Sequence, residues 1–235
     1  MSQSVPADLK GLLLHRRHRV NHAVRIVCRP IFDIACRPTI LHRQRAARAG
    51  GYLLAANHHH AMDIPALMYA TPRLIDFVSI AQVMNTPGLG AFYRQFQTIT
   101  LHRGRVDPAA IRTIVGRLRD GRVVGFFPEA RITAPQDSVT AGGPHRSGLG
   151  RIARLAQVPV LPAVVLDTAR LMKPAAWLPL RRTRFAVAYG QPIFADPDLP
   201  PRESQHNVEH SWRQQMLSLT QAVRDAEHPG DAAAP

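Results

Sequence analysis

From Tyr52 to Tyr189, short apolar runs alternate with capped, amphipathic stretches. That alternation confines the chain to one broad architecture. Tyr52–Ala56, Asp76–Ile80, Val123–Phe127, Val160–Leu166 and Arg184–Tyr189 read as strands. Asp107-Pro108 supplies an N-cap and a proline at the first helical position, and Ile111, Ile114, Val115 and Leu118 then give one apolar face. Gly121 follows where a left-handed residue would close that helix. Pro87–Phe96 is predicted as a short helix, and Ser147 as the cap of a helix running to Gln157. Near the C-terminus, Val208, Trp212, Met216, Leu219, Val223 and Ala226 recur at spacings of four and three, the stripe of a core-facing helix. Strands alternating with helices predict an α/β fold: a mixed, largely parallel sheet flanked by helices.

The first fifty residues differ in kind. They carry Lys10 and nine Arg against Asp8 and Asp33, a local balance of 10 − 2 = +8. Leu12, Leu13, Leu14, Val20, Val24 and Ile26 are interleaved with those charges, and Pro30 and Pro38 are expected to break the segment into short helices. A basic amphipathic segment of this type suits an anionic membrane surface. It equally suits a helical layer packed on the core with a solvated arginine face. The predicted organisation is a basic amphipathic helical segment over 1–50, a catalytic domain over 51–228 and a disordered tail over 229–235.

Charge narrows the choice of partner without fixing it. Lys+Arg outnumber Asp+Glu by 30 to 16, and all but Lys10 and Lys173 of the cations are Arg. Guanidinium binds phosphate and carboxylate through paired donors, so a nucleic acid, an acidic membrane or a phosphorylated substrate would each fit. Aromatic residues are 6% of the chain, and no RNP-like or helix-turn-helix pattern stands out, which disfavours nucleic acid. Cys28 and Cys36 form no CxxC pair, so a reducing compartment is expected. No secretory signal is visible, and no stretch approaches the ~18 apolar residues of a membrane span.

The chemistry concentrates in Ala56-Asn57-His58-His59-His60-Ala61-Met62-Asp63, where a strand should end and a helix begin. Site residues in α/β folds collect at such strand ends. His58 and Asp63 are five positions apart, about 140° of rotation on a regular helix, so they would not share a helical face. They meet if His58 lies in the loop and Asp63 in the first helical turn. A carboxylate on one ring nitrogen fixes the tautomer and leaves the other nitrogen as a base. Consecutive histidines rarely converge on one ion, so a metal centre is disfavoured.

Three further blocks follow. Ile99-Thr100-Leu101-His102-Arg103 precedes a helix, Phe127-Pro128-Glu129-Ala130-Arg131-Ile132-Thr133 ends the strand after it, and Val158-Pro159-Val160-Leu161-Pro162 opens a later strand. In order and spacing the four blocks resemble the glycerolipid acyltransferase family, typified by lysophosphatidate (1-acylglycerol-3-phosphate) acyltransferases. The family's NHxxxxD is matched by Asn57, His58 and Asp63. Its second block ends in an arginine, matched by Arg103. Its third, usually FPEGTRS with a variant FPEGRIT, reads FPEARIT here, and Arg146 before Gly148 corresponds to a basic residue after it. The likeness covers roughly Tyr52 to Ile193. Ala130 departs from the family glycine, adding a methyl where the backbone needs an unusual φ or a close approach.

The resemblance implies transfer of a fatty acyl group from acyl-CoA or acyl carrier protein to a lysophospholipid hydroxyl, with no cofactor and no metal. His58 and Asp63 are the expected catalytic pair. Asn57, Arg103, Glu129 and Arg131 are the expected substrate-binding residues, the arginines for phosphate and Glu129 for a glycerol hydroxyl or for an arginine partner. Backbone amides at the helix start after His58 are expected to receive the oxyanion. The implied location is cytoplasmic, peripheral on the inner face of the cell membrane. A hydrolase using the same pair on water, an acyltransferase acting on another lysophospholipid or a non-phosphate alcohol, and a basic nucleic-acid-binding protein are the rival readings.

Overall fold

The computed structural model describes residues 26, 28–80, 99–101, 107–178 and 182–227. The helix expected over Pro87–Phe96, Arg103, residues 1–25 and the tail over 229–235 lie outside the described residues. Among the described residues seven strands form one sheet: β1 (Thr39–Leu41), β2 (Tyr52–Ala56), β3 (Ile75–Ile80), β4 (Ile99–Leu101), β5 (Val123–Phe126), β6 (Val160–Leu166) and β7 (Ala186–Tyr189). Their spatial order is β1-β7-β6-β2-β5-β3-β4. Every pairing is parallel except that of β6 with β7.

The helices are α1 (residues 28–35), α2 (Asp63–Ala70), α3 (Pro108–Arg119), α4 (Leu149–Ala156) and α5 (Pro201–Glu227). β2 lies between two parallel neighbours, and all five of its residues are buried. Its side chains alternate between two cores, as a strand covered on both faces requires. Leu53 and Ala55 face α3, α4 and α5, through Ile114, Leu118, Ile152 and Trp212. Tyr52, Leu54 and Ala56 face α1 and α2, through Phe32, Ala35, Ala66 and Leu67. Fully burying a Leu or Phe side chain contributes about 1.5–3 kcal/mol, so these two apolar layers hold the sheet.

Local chemistry accounts for most element ends. The Asp107 side chain accepts from the amides of Ala109 and Ala110, and Pro108 opens α3. Gly121 takes φ 77° after the last turn. α4 departs from expectation: its N-cap is Gly148, not Ser147, and the acceptor for the Gly148 amide is Glu209 Oε1 on α5, 2.7 Å away. A carboxylate brought by tertiary packing takes the place of a serine cap. Along α5, Val208, Trp212, Met216, Leu219 and Val223 are buried, whereas Ala226, in the last turn, is exposed.

The N-terminal boundary also differs. Pro30 sits within helical residues 28–35 rather than ending them. A proline forfeits its own N–H bond, and here burial of Phe32 and Ala35 on the core holds the helix together around it. β1 then pairs with β7, and Ala46 is fully buried. The second half of the segment set apart as 1–50 is thus built into the α/β unit.

Arginine has an internal use that composition concealed. Arg43, Arg45, Arg73, Arg119, Arg154, Arg182 and Arg213 each donate to backbone carbonyls. Arg73 alone reaches the carbonyls of Arg48, Gly50 and Gly121, tying the loop before β2 to the turn before β5. A rigid fork with five donors suits carbonyls that loops leave unpaired.

Candidate active site

The C-terminal ends of three adjacent parallel strands converge on one loop. β2 delivers residues 57–62, β5 delivers Phe127 and Glu129, and β6 delivers Asp167 and Thr168. Asp63 opens α2, so the geometry that lets His58 and Asp63 meet is present. His58 Nδ1 lies 3.0 Å from Asp63 Oδ2. Asp63 is fully buried, while the His58 side chain keeps 15% of its exposure. An anion away from water needs a full set of donors. The amides of His59 and His60 reach the same Oδ2 at 2.7 and 2.8 Å. The Thr168 hydroxyl donates to Oδ1.

The imidazole is also held by its face. The His58 ring stacks on Phe127, centroids 4.2 Å apart and planes at 17°. Phe127 in turn stacks on Phe77 of β3 at 5.9 Å. With Asp63 accepting, the proton sits on Nδ1, and Nε2 is the basic nitrogen. Burial lowers the pKa of neighbouring His59 below the ordinary value, against opposing pulls from Asp63 and Glu129. Its Nε2 lies 3.2 Å from the Thr140 hydroxyl.

Two expected substrate contacts are engaged within the protein. Asn57 is fully buried. Its amide nitrogen donates to the Val165 carbonyl at 2.7 Å, and its carbonyl accepts from the Val165 amide at 2.8 Å. Its side chain copies a strand ladder to β6 where β2 leaves the sheet, and its second N–H and second lone pair are buried with it. Glu129 keeps 6% of its exposure. One oxygen accepts from the His58 amide at 3.0 Å, and the other from the Ser138 hydroxyl at 2.5 Å and the Val139 amide at 3.0 Å. It fixes the loop behind His58. Arg131 is exposed, and Thr133 beside it donates its amide to the His58 carbonyl at 2.8 Å, which keeps this turn against the histidine loop.

Four of the amides around the helix start are already engaged. The amides of His59 and His60 serve Asp63, that of Met62 reaches His60 Nδ1, and that of Asp63 reaches the His60 carbonyl. Ala130 adopts φ 57°, the left-handed region that favours glycine, so the departure from FPEG falls on a position of positive φ. Thr168 and Phe127 were missed as site residues. Thr168 lies 105 positions from Asp63, beyond any spacing rule, whereas Phe127 stands inside a block already singled out.

Comparison with known proteins bears on family and fold. The sequence profile described as Acyltransferase matches residues 37–166, more than half of the 235 residues. The 1-acyl-sn-glycerol-3-phosphate acyltransferase of Bacillus subtilis (strain 168) is 22% identical over 125 residues, covering 53% of this chain and 60% of that relative's length. In fold, the chain is similar to the crystal structure of the 1-acyl-sn-glycerophosphate (LPA) acyltransferase PlsC from Thermotoga maritima, with a TM-score of 0.57, 17% identity and 88% of each chain covered. On the breadth of the profile match, joined to a mostly parallel sheet carrying a His–Asp pair at its strand ends, this chain belongs to the acyltransferase family.

Proposed function

We propose that the protein transfers a fatty acyl group from a thioester, acyl-CoA or acyl carrier protein, to the hydroxyl of a lysophospholipid, foremost 1-acylglycerol-3-phosphate. The observation that carries this reading is the 3.0 Å contact between His58 and a fully buried Asp63. An alcohol attacks a thioester poorly until its proton is removed. In the proposed step, His58 Nε2 takes the hydroxyl proton while the oxygen bonds to the thioester carbon. The tetrahedral intermediate collapses, the carbon–sulfur bond breaks, and His58 returns the proton to the departing thiolate. Asp63 stabilises the imidazolium formed between these events. General-base assistance of this type is worth about 10²–10⁴-fold. Supply of the nucleophile by the substrate explains why the pair needs no serine or cysteine of the protein.

For the phosphate head group the reading assigns Arg103 and Arg131, because a guanidinium fork matches phosphate. It assigns the membrane contact to residues 1–50, supported by the local charge of 10 − 2 = +8 and by exposed Ile31 and Ile34 on α1. Among the described residues no helix is long and apolar enough to cross a membrane. The reading puts the action at the inner face of the cell membrane, as a peripheral protein.

The test is thiol release from one acyl-CoA across a panel of lysophospholipids and neutral alcohols, with products identified by mass. The expected result is a new phospholipid from lysophosphatidate and its loss in His58→Ala. Thioester consumed with only free fatty acid formed would make the protein a hydrolase. Folded His58→Ala with wild-type turnover would remove the histidine from the chemistry. Arg131→Lys should raise the acceptor KM with little change in kcat, and an unchanged KM would take Arg131 out of head-group binding. Liposome sedimentation should weaken with added salt and on deletion of residues 1–25.

A further inference from the structure

Asp63 carries an uneven load. Oδ2 accepts from His58 Nδ1 and from the amides of His59 and His60, all within five positions in sequence. Oδ1 accepts from Thr168, which reaches it from the far side of the chain, 105 positions away. Thr168 keeps 1% of its exposure, and Asp63 none. Water therefore does not substitute for the hydroxyl at Oδ1. The approach of Thr168 is fixed by the sheet. β6 runs parallel to β2 with Ala56 opposite Ala163, the Asn57 side chain extends that pairing to Val165, and Asp167 turns the chain at φ 62° immediately before Thr168.

A carboxylate rotates about its Cβ–Cγ bond. With donors on Oδ2 alone, rotation trades the imidazole contact against two amides that compete for the same lone pairs. A donor on Oδ1 from a separate, rigid element sets the plane of the group. We propose that Thr168 is a positioning residue whose hydroxyl locks the Asp63 carboxylate so that His58 is held with its proton on Nδ1. Thr168 lies beyond the four sequence blocks and beyond the profile match over residues 37–166. The kinetic consequence rests on the acyl-transfer reading given above, whereas the tautomer consequence does not.

The experiment pairs Thr168→Val, which keeps the β-branch and removes the donor, with Thr168→Ser, which keeps the donor and removes a methyl. Two readouts are taken on the full chain. The first is the ¹⁵N spectrum of the His58 ring, assigned by difference from His58→Asn. The wild-type protein and Thr168→Ser should give separate protonated Nδ1 and bare Nε2 signals, and Thr168→Val should move both toward tautomer-averaged positions. The second is steady-state acyl transfer to lysophosphatidate. For Thr168→Val, kcat should fall about 10–100-fold, the range for one hydrogen bond to a charged group, with both KM values unchanged; Thr168→Ser should recover activity to within about twofold of wild type.

Wild-type ring signals in Thr168→Val would overturn the proposal. So would equal impairment of the serine and valine variants, or a loss appearing in KM alone. If Thr168→Val does not fold, Thr168→Ala against Thr168→Ser carries the same comparison. Should the ring signals change as expected while no acceptor is acylated by the wild type, the lock stands and the acyl-transfer reading falls.

Discussion

Two buried aspartates sit at opposite ends of the same sheet and are neutralised in opposite ways. Asp76, near the start of β3, keeps 2% of its exposure and faces two guanidinium groups, Arg122 at 2.6 Å and Arg117 at 3.3 Å. Asp63, at the strand-end face, meets no cation of fixed charge among the described residues; its partners there are an imidazole, two amides and a hydroxyl. Fixed cations cancel the first charge permanently and clamp α3 and β5 to β3. Neutral donors make the second charge tolerable without cancelling it. Its field therefore remains available to an imidazole that acquires a proton. The same residue type serves as a rivet at one end and as part of a chemical device at the other.

The largest effects expected should separate these roles. Asp63→Asn should lower acyl transfer by about 10²–10⁴-fold while the protein stays folded, because the amide no longer supports an imidazolium. Asp76→Asn should do the reverse. It removes the buried carboxylate charge that both guanidinium groups face, a loss of about 3 kcal/mol in the urea unfolding free energy, with kcat preserved. If Asp76→Asn abolished turnover in fully folded protein, or Asp63→Asn cost only stability, the division between the two ends would fail.

A smaller effect sharpens the contrast by testing how stiff the strand-end turns must be. Ala130→Gly relieves a left-handed φ at an exposed position and should stabilise the fold by about 0.5–1 kcal/mol, read as a raised melting temperature. Activity should stay near wild type, because Glu129 and Phe127 hold the turn from both sides. A lower melting temperature would mean that the methyl makes a contact that outweighs the strain.

The smallest effect is in acid. His59 and His145 both have depressed pKa values, in each case mainly from burial. The unfolded chain therefore binds protons more readily than the folded one as pH falls below the ordinary 6.5. The stability associated with their neutral forms is complete above that value and drains away on acidification through the folded pKa. His59→Gln should flatten the fall in urea midpoint between about pH 7 and 5. An unchanged slope would take His59 out of the acid response.

Much of the frame was legible because its signals are local. β2 and β6 match the expected runs residue for residue, and α3 begins and ends at the predicted cap and glycine. The His58–Asp63 pair was legible because both partners lie in one block, one in a loop and the other at the first turn of a helix. The remainder depended on distant chain segments. The structural part of Asn57 could not be read, because Val165, with which its side chain pairs through one donor and one acceptor, lies 108 positions on. Glu129 sits in a functional block, yet its oxygens are consumed by His58, Ser138 and Val139. Ser147 looked like a cap until Glu209 arrived from another helix. The arginine excess pointed outward to anions, while seven of these side chains bind the protein's own carbonyls.

The ladder that Asn57 builds with its side chain has a consequence for what this position tolerates. Here a strand is continued by something other than main chain, so the residue needs a hydrogen to give and a lone pair to receive at the reach of a single methylene. Aspartate would confront the Val165 carbonyl with a second acceptor, and glutamine would overshoot by one carbon. The asparagine is thus demanded by carpentry rather than by reactivity, standing next to the histidine because that is where the plank ends.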